Sequence, residues 1–274
     1  MGDCYRFEER LYNDGIFKGE SIDATYIIHL EGNGRLSKVN SELENLHPTN
    51  RLWILHNKGF RVCHKDGINS PALDLIACYH EIFRHANVQK YSNILILEDD
   101  FFFDGILIKD VEITESITGF LLEKRDQDFA YSLGCLPILQ IPLGEHRRSI
   151  SLGTHAVIYS RKCRDRVLLV PPQIIGDWDI WQNFNTKKYM FHRPVCYQLF
   201  PKTENQKGWL SGYLPEFIQS FFYIFIILPF FNSLALDKSI EPGYPLFYSL
   251  SSWVSGFIVL LLLYITFMTI YMKM

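Results

Sequence analysis

Residues Ile94–Asp100, ILILEDD, set four β-favouring apolar residues directly before three acids. The apolar run reads as a buried strand, and the acids fall where that strand ends. Adjacent carboxylates repel one another and resist burial, so something must offset their charge. A divalent metal is the common answer, because hard cations prefer carboxylate oxygens. Such a metal would hold phosphates at the carboxyl edge of an α/β sheet, where these folds bind ligands. The plainer reading is a strand that ends in a solvated acidic turn.

Working outward, Ala24–Leu30 (ATYIIHL) reads as the first strand and Glu31–Gly34 as a turn. Arg35–Leu46 has a helical pattern, with Leu36, Val39, Leu43 and Leu46 on one face. Leu52–Leu55 and Phe60–His64 are two further strand candidates, the second followed by Asp66-Gly67. Ser70 is a natural N-cap with Pro71 at the first helical position, for a helix running to about Ala86. The alternation of strands and helices predicts an α/β domain with a mostly parallel central sheet. Beyond ILILEDD, Ile117–Lys124 and Arg161–Leu169 look helical, while Phe129–Leu133, His155–Ser160 and Val195–Leu199 look like strands. Gly134–Arg148, rich in Pro and Gly, reads as a long loop.

The chain has 274 residues and a net charge of −3. Between Trp209 and Met272 the only charged residues are Glu216, Asp237, Lys238 and Glu241. This predicts a soluble domain followed by a membrane module: an N-terminal segment 1–23, a catalytic domain 24–207, and apolar spans at 217–236 and 253–272. The basic residues that flank the two spans favour a hairpin with both termini in the cytosol; the alternative is a first stretch lying in the interface and a single span after it. No basic, aromatic-interleaved platform is present, so a nucleic-acid function is not expected. The six cysteines form no CxxC, no Asn-x-Ser/Thr sequon occurs, and the N-terminus lacks an apolar signal core. Together these suggest a reducing, cytosol-facing domain. Arg6 stands where an N-myristoylation motif wants Ser or Thr, so Met1-Gly2 is not read as one.

Several segments, in order, resemble glycosyltransferase family 25, nucleotide-sugar enzymes of the GT-A type that include lipopolysaccharide glycosyltransferases and collagen galactosyltransferases. Tyr26–Leu30 with Arg35-Leu36 resembles the family's opening strand and its Arg-containing turn. Asp66-Gly67 resembles its Asp-Gly after the third strand, and ILILEDD with Phe101–Phe103 its acidic metal motif. Ala77–Phe83 resembles a family helix in which Cys78 and His80 match while Tyr79 replaces a serine. Thr154–Ser160, Asp177-Trp178-Asp179 and Pro194–Gln198 resemble later positions. The resemblance covers about Ala24 to Gln198 and leaves out the apolar C-terminal region.

The resemblance implies a metal-dependent transfer of sugar from a nucleotide sugar, a UDP-sugar by expectation, to a glycan, glycoprotein or lipid-linked hydroxyl, with inversion. It implies Mn²⁺ or Mg²⁺ on Asp100, with Glu98 acting through water or the ribose and His192 as a further ligand. Arg35, Asp66, His80, Glu98 and Asp99 would serve the donor, with Asp99 free to point away because side chains alternate along a strand. Asp177 and Asp179 are the candidates for the general base that activates the acceptor hydroxyl. Trp178 and Trp181 suit an apolar wall against a sugar. The same stretch also reads as a helix start with Asp177 as N-cap and the tryptophans in the core. Two other readings stand beside transfer: a catalytically inactive membrane interaction protein on the same fold, and another metal-dependent nucleotide enzyme. A P-loop enzyme is disfavoured, because no Gly-Lys-Ser/Thr loop is present.

Overall fold

The computed structural model describes residues 4–141, 143–198, 225, 229 and 243–272. Its centre is a seven-stranded sheet in the order β1 (Tyr5–Leu11), β3 (Arg51–Asn57), β2 (Ala24–Leu30), β4 (Asn93–Glu98), β7 (His146–Ser160), β6 (Ala130–Gln140), β8 (Lys188–Phe191). The ILILEDD strand is thus the middle strand, and five of its six residues, Asn93–Leu97, are buried. The apolar run Ile94–Leu97 is what burial on both faces demands.

Helices cover both faces. Val39 and Leu43 of α1 (Leu36–Asn45) and Ile113 and Ile117 of α3 (Val111–Glu123) pack with Ile27, Leu95, Leu97 and Ile158. On the other face, Ile76, Tyr79 and Phe83 of α2 (Pro71–Val88), Cys163 of α4 (Arg161–Val167) and Trp178 of α6 (Trp178–Asn185) pack with Tyr26, Ile94, Ile96 and Tyr159. Between α4 and α6 lies the single turn α5 (Pro172–Ile175). Ser70 caps α2 by accepting from the Leu73 amide at 3.2 Å, with Pro71 at the first position, as the sequence predicts.

The sheet is mixed rather than mostly parallel. Only the β2–β3, β2–β4 and β6–β8 pairs are parallel; β1–β3, β4–β7, β6–β7 and β7–β8 are antiparallel. The parallel expectation holds for the first βαβ units and fails beyond β4, where the chain returns as a hairpin. That hairpin also replaces the expected loop over Gly134–Arg148: β6 and β7 run as a long ribbon, with Leu139 opposite Ile150 and Gln140 opposite Ser149. Register shifts at Gly134 and around Pro137 let the strands tolerate these residues. At Gly134 a side chain has no room, because the Cys196 carbonyl and the His155 ring lie against it.

Phe60–His64 is a turn and not a strand. Gly59 takes φ +76°, and the Phe60 amide donates to Asp74 Oδ2 at 3.1 Å, which folds the chain back. The N-terminal β1, unread in the sequence, forms the sheet edge and is tied down by a disulfide between Cys4 and Cys63. This pairing runs against the reducing environment expected from the cysteine spacing, since disulfides persist in oxidising compartments. Cys78, Cys135, Cys163 and Cys196 are buried free thiols.

A second small sheet pairs β5 (Phe101–Phe103) with β9 (Cys196–Gln198). The expected apolar span 217–236 lies outside the described residues, apart from Phe225 and Pro229. The second span belongs to a longer helix, α7 (Gly243–Tyr271), of which Tyr244–Tyr271 is long and apolar enough to cross a membrane. Its first turns dock on β6: Tyr248 Oη meets the Cys135 amide at 3.0 Å and Ser255 Oγ the Gln140 amide at 3.0 Å.

Candidate functional site

Strand alternation sorts the three acids. Glu98 follows Ile94 and Ile96 toward the α2 and α6 face, whereas Asp99 follows Leu95 and Leu97 toward α1. Asp100 lies just past the strand and is buried. Each therefore meets different partners, and those partners define what each can do.

Asp99 is enclosed. Its Oδ2 accepts from His29 Nδ1 at 3.0 Å, Asn33 Nδ2 at 2.6 Å and the Leu30 amide at 3.2 Å, and its Oδ1 accepts from Arg35 Nη1 at 2.9 Å. Burial pushes its pKa up, but His29, Asn33 and Arg35 outweigh that and hold it below the usual carboxylate range. The Asn33 turn exists to make this contact: Gly32 and Gly34 on either side take φ +82° and +76°. Asp99 thereby fixes the β2 turn to the end of β4.

Glu98 and Asp100 are held less fully. Glu98 Oε1 accepts from Thr154 Oγ1 at 2.8 Å and Tyr79 Oη at 3.4 Å; its Oε2 takes no hydrogen bond among the described residues. From side chains among the described residues Asp100 receives long contacts, 3.3 Å from Arg35 Nη1 and 3.3 Å from Gln198 Nε2 to each oxygen. Burial pushes both pKa values well up, and the field of neighbouring carboxylates adds to it: Asp100 and Asp179 act on Glu98, and Asp99 on Asp100. Arg35 opposes the rise at Asp100. Each of the two carboxyls therefore holds a proton more tightly than it would in water.

Asp179, on the first turn of α6, joins this group. Its Oδ2 accepts from the Gly153 amide at 3.2 Å, and its Oδ1 is buried without a partner among the described residues. Burial raises its pKa, with buried Lys188 opposing. Asp177 is exposed and caps α6, accepting from the Ile180 amide at 2.9 Å. Trp178 is buried against Tyr79, and Trp181 stacks on it with centroids 6.0 Å apart. The capped-helix reading thus describes Asp177 and Trp178, while Asp179 faces the acids.

The fold therefore gathers Arg35, Glu98, Asp99, Asp100 and Asp179 at the carboxyl edge of the middle strand. It does not gather the others. Asp66 is exposed and pairs with exposed His64 at 3.3 Å. His80 is buried on α2 with Nε2 unpartnered among the described residues, and burial lowers its pKa to about 4. His192 sits in the field of Arg193, Arg147 and Glu145 beside the hairpin end of the β6–β7 ribbon, with no tie to Glu98 or Asp100 among the described residues. His155 is buried, with Nε2 3.3 Å from the Cys196 carbonyl. Among the described residues no three His, Cys, Asp or Glu side chains gather as a chelating group.

Four partners of the acids escaped the sequence reading as such: His29, Asn33, Thr154 and Tyr79. The Tyr79 hydroxyl reaches Glu98 at 3.4 Å and the Thr154 carbonyl at 3.0 Å. A buried ion pair also went unread. Lys65 meets Asp74 beside Asn57, closing the turn that follows β3. A charged residue followed by an apolar helix gave no cue to that pairing.

No protein-family model matches the chain, and no curated protein does. Among solved structures, the glycosyltransferase involved in the glycosylation of the major capsid of PBCV-1 is similar with a TM-score of 0.41 and 7% identity, over 67% of this chain and 95% of that one. The protein A197 from STIV is similar with a TM-score of 0.38 and 10% identity, over 66% of this chain and 86% of that one. Similarity at this level assigns no role to any residue here.

Proposed function

We propose that the chain is a membrane-anchored glycosyltransferase, moving a sugar from a nucleotide sugar, a UDP-sugar first among them, to a hydroxyl acceptor with inversion. The observation that carries this reading is the pair of half-buried Glu98 and buried Asp100, mutually repelling and incompletely bonded at the carboxyl edge of the middle strand. The ordered resemblance to family 25 supplies the chemistry to be tested there.

The donor set at this pair is all oxygen, which suits a hard ion such as Mn²⁺ or Mg²⁺ and not zinc. Glu98 and Asp100 would hold the ion, with water and diphosphate oxygens as its other ligands. When bound, it would neutralise the leaving nucleoside diphosphate. Arg35, already beside Asp100, would add a guanidinium to the same phosphates. Asp99 keeps the β2 turn, and so Arg35, in place. Asp179 is the better base of the two candidates, because burial raises its proton affinity while Asp177 is committed to capping α6. The acceptor would be a glycan, glycoprotein or lipid-linked chain met at the membrane.

The test is UDP binding to the full-length protein in nanodiscs, with Mn²⁺ and with chelator, beside Asp100→Asn. Metal-dependent binding lost in the variant is the expected result. A folded protein that binds no nucleoside diphosphate in either condition overturns the proposal and leaves a non-catalytic interaction protein.

A further inference from the structure

The β6–β7 ribbon has an unusual tip. Beyond Gln140 it bares Ile141 and Leu143, at 51% and 75% exposure, and Ile138, Leu139 and Ile150 are also exposed just below. Large apolar side chains bared side by side at a hairpin end are costly in water and need a cover.

The neighbouring helix says what the cover is. Helix α7 advances along β6 in the same direction: Tyr248 meets Cys135, Ser251 Oγ meets the Ile138 carbonyl, and Ser255 meets Gln140. Among the described residues the hydrogen bonds from α7 to the domain end at Ser255, and beyond it Phe257, Leu260 and Leu263 are exposed. The tip residues continue past Gln140, level with the point where α7 leaves the domain. Trp253, 79% exposed, lies at that level, where indole rings favour a membrane interface. So does a cation: Arg147 is held by Ser252 Oγ at 3.1 Å and Gln140 Oε1 at 2.9 Å, with Arg148 next to it on Tyr189. Basic groups at that level suit anionic headgroups.

We infer that the β6–β7 tip is a second membrane-seating element: Ile141 and Leu143 dip into the bilayer interface beside α7, with Arg147 and Arg148 at headgroup depth. Two contacts instead of one fix the domain's orientation. The inference does not depend on glycosyl transfer.

The test is an environment-sensitive fluorophore on a single introduced cysteine in the full-length protein, reconstituted in vesicles of phosphatidylcholine with phosphatidylglycerol. The sites are Leu143→Cys, Ile141→Cys, Leu261→Cys in α7, and Leu169→Cys, exposed after α4 at the opposite edge of the sheet. Expected is quenching by shallow lipid nitroxides at 141 and 143, by deep nitroxides at 261, and by aqueous iodide alone at 169. Iodide quenching at 141 and 143 equal to that at 169 overturns the inference. So does an apolar emission there without lipid quenching, which would mark a protein neighbour such as a second copy. Absence of lipid quenching at 261 overturns it as well, since α7 would then lie outside the bilayer.

Discussion

Glu98 and Asp100 show how position along one strand sets proton affinity. Both are carboxylates a residue away from Asp99, yet Asp99 is enclosed by donors and they are not. Glu98 has its pKa raised from near 4.5 to about 8, so the folded state binds its proton more tightly than the unfolded chain. The sign follows from linkage: below the unfolded pKa nothing is lost, and stability falls as pH rises toward 8. In chelator, the melting temperature should therefore drop between pH 5 and 8. Glu98→Gln should flatten that slope, and Mn²⁺ should lift the alkaline end in the native protein only. An unchanged slope in the variant would show that Glu98 is not the group. The two aspartates of α6 separate in the same manner. Asp177→Ala removes a cap and should cost about 1 kcal/mol of stability with transfer retained. Asp179→Asn should leave the fold and lower turnover on the order of 10²–10⁴-fold, as loss of a general base does. Sugar transfer with the melting temperature measured in parallel distinguishes them.

At the scale of elements, what the sequence disclosed follows burial. β2 and β4 are covered on both faces and read as apolar runs, and α2 carries its cap and proline in plain view. β1 (YRFEERL) is an edge strand whose charges discourage further pairing, so it reads as polar. The β6–β7 ribbon reads as a loop because Gly134, Pro137 and Gly144 are turn residues, and their accommodation by register shifts depends on distant partners. The acids themselves were legible, but the cage of Asp99 was not, since His29 and Asn33 reach it across 70 and 66 residues of chain. His192 and Asp66 carry the right chemistry in places set by long-range pairing. The same holds for Arg164 of α4, which was unread and is fully buried. It donates to the Tyr91, Ser92 and Tyr159 carbonyls and to Asn87 Oδ1, joining α2, β4 and β7 at the edge opposite the acids. Arg164→Met should cost about 3–5 kcal/mol, because these acceptors stay buried without a donor. Urea unfolding measures it, and a cost under about 1 kcal/mol would mean that water replaces the guanidinium.

For the whole molecule, α7 is a structural part of the domain and not a detachable anchor. Tyr244 closes over Leu136 and Tyr197, Tyr248 over Cys135 and Met190, so a chain ending at 207 bares both clusters. The helix also reaches the acids. Tyr244 Oη bonds the Gln198 amide and carbonyl, each at 3.3 Å, and the Gln198 side chain bonds Asp100. At the far end of the sheet the Cys4–Cys63 bridge closes a separation of 59 residues, worth about 4 kcal/mol by loop entropy. Alkylation of the denatured, unreduced protein should label the four free thiols, and all six cysteines only after reduction. The helix-to-acid line gives the sharper test. Tyr244→Phe keeps the ring packing and removes the bonds to Gln198, each worth about 1 kcal/mol. Mn²⁺-dependent UDP affinity should then fall about 5-fold, while Tyr248→Phe, whose hydroxyl serves only the Cys135 strand, should change stability and leave affinity as it was. Equal affinity in the two variants would mean that α7 holds the domain to the bilayer without shaping the acidic edge.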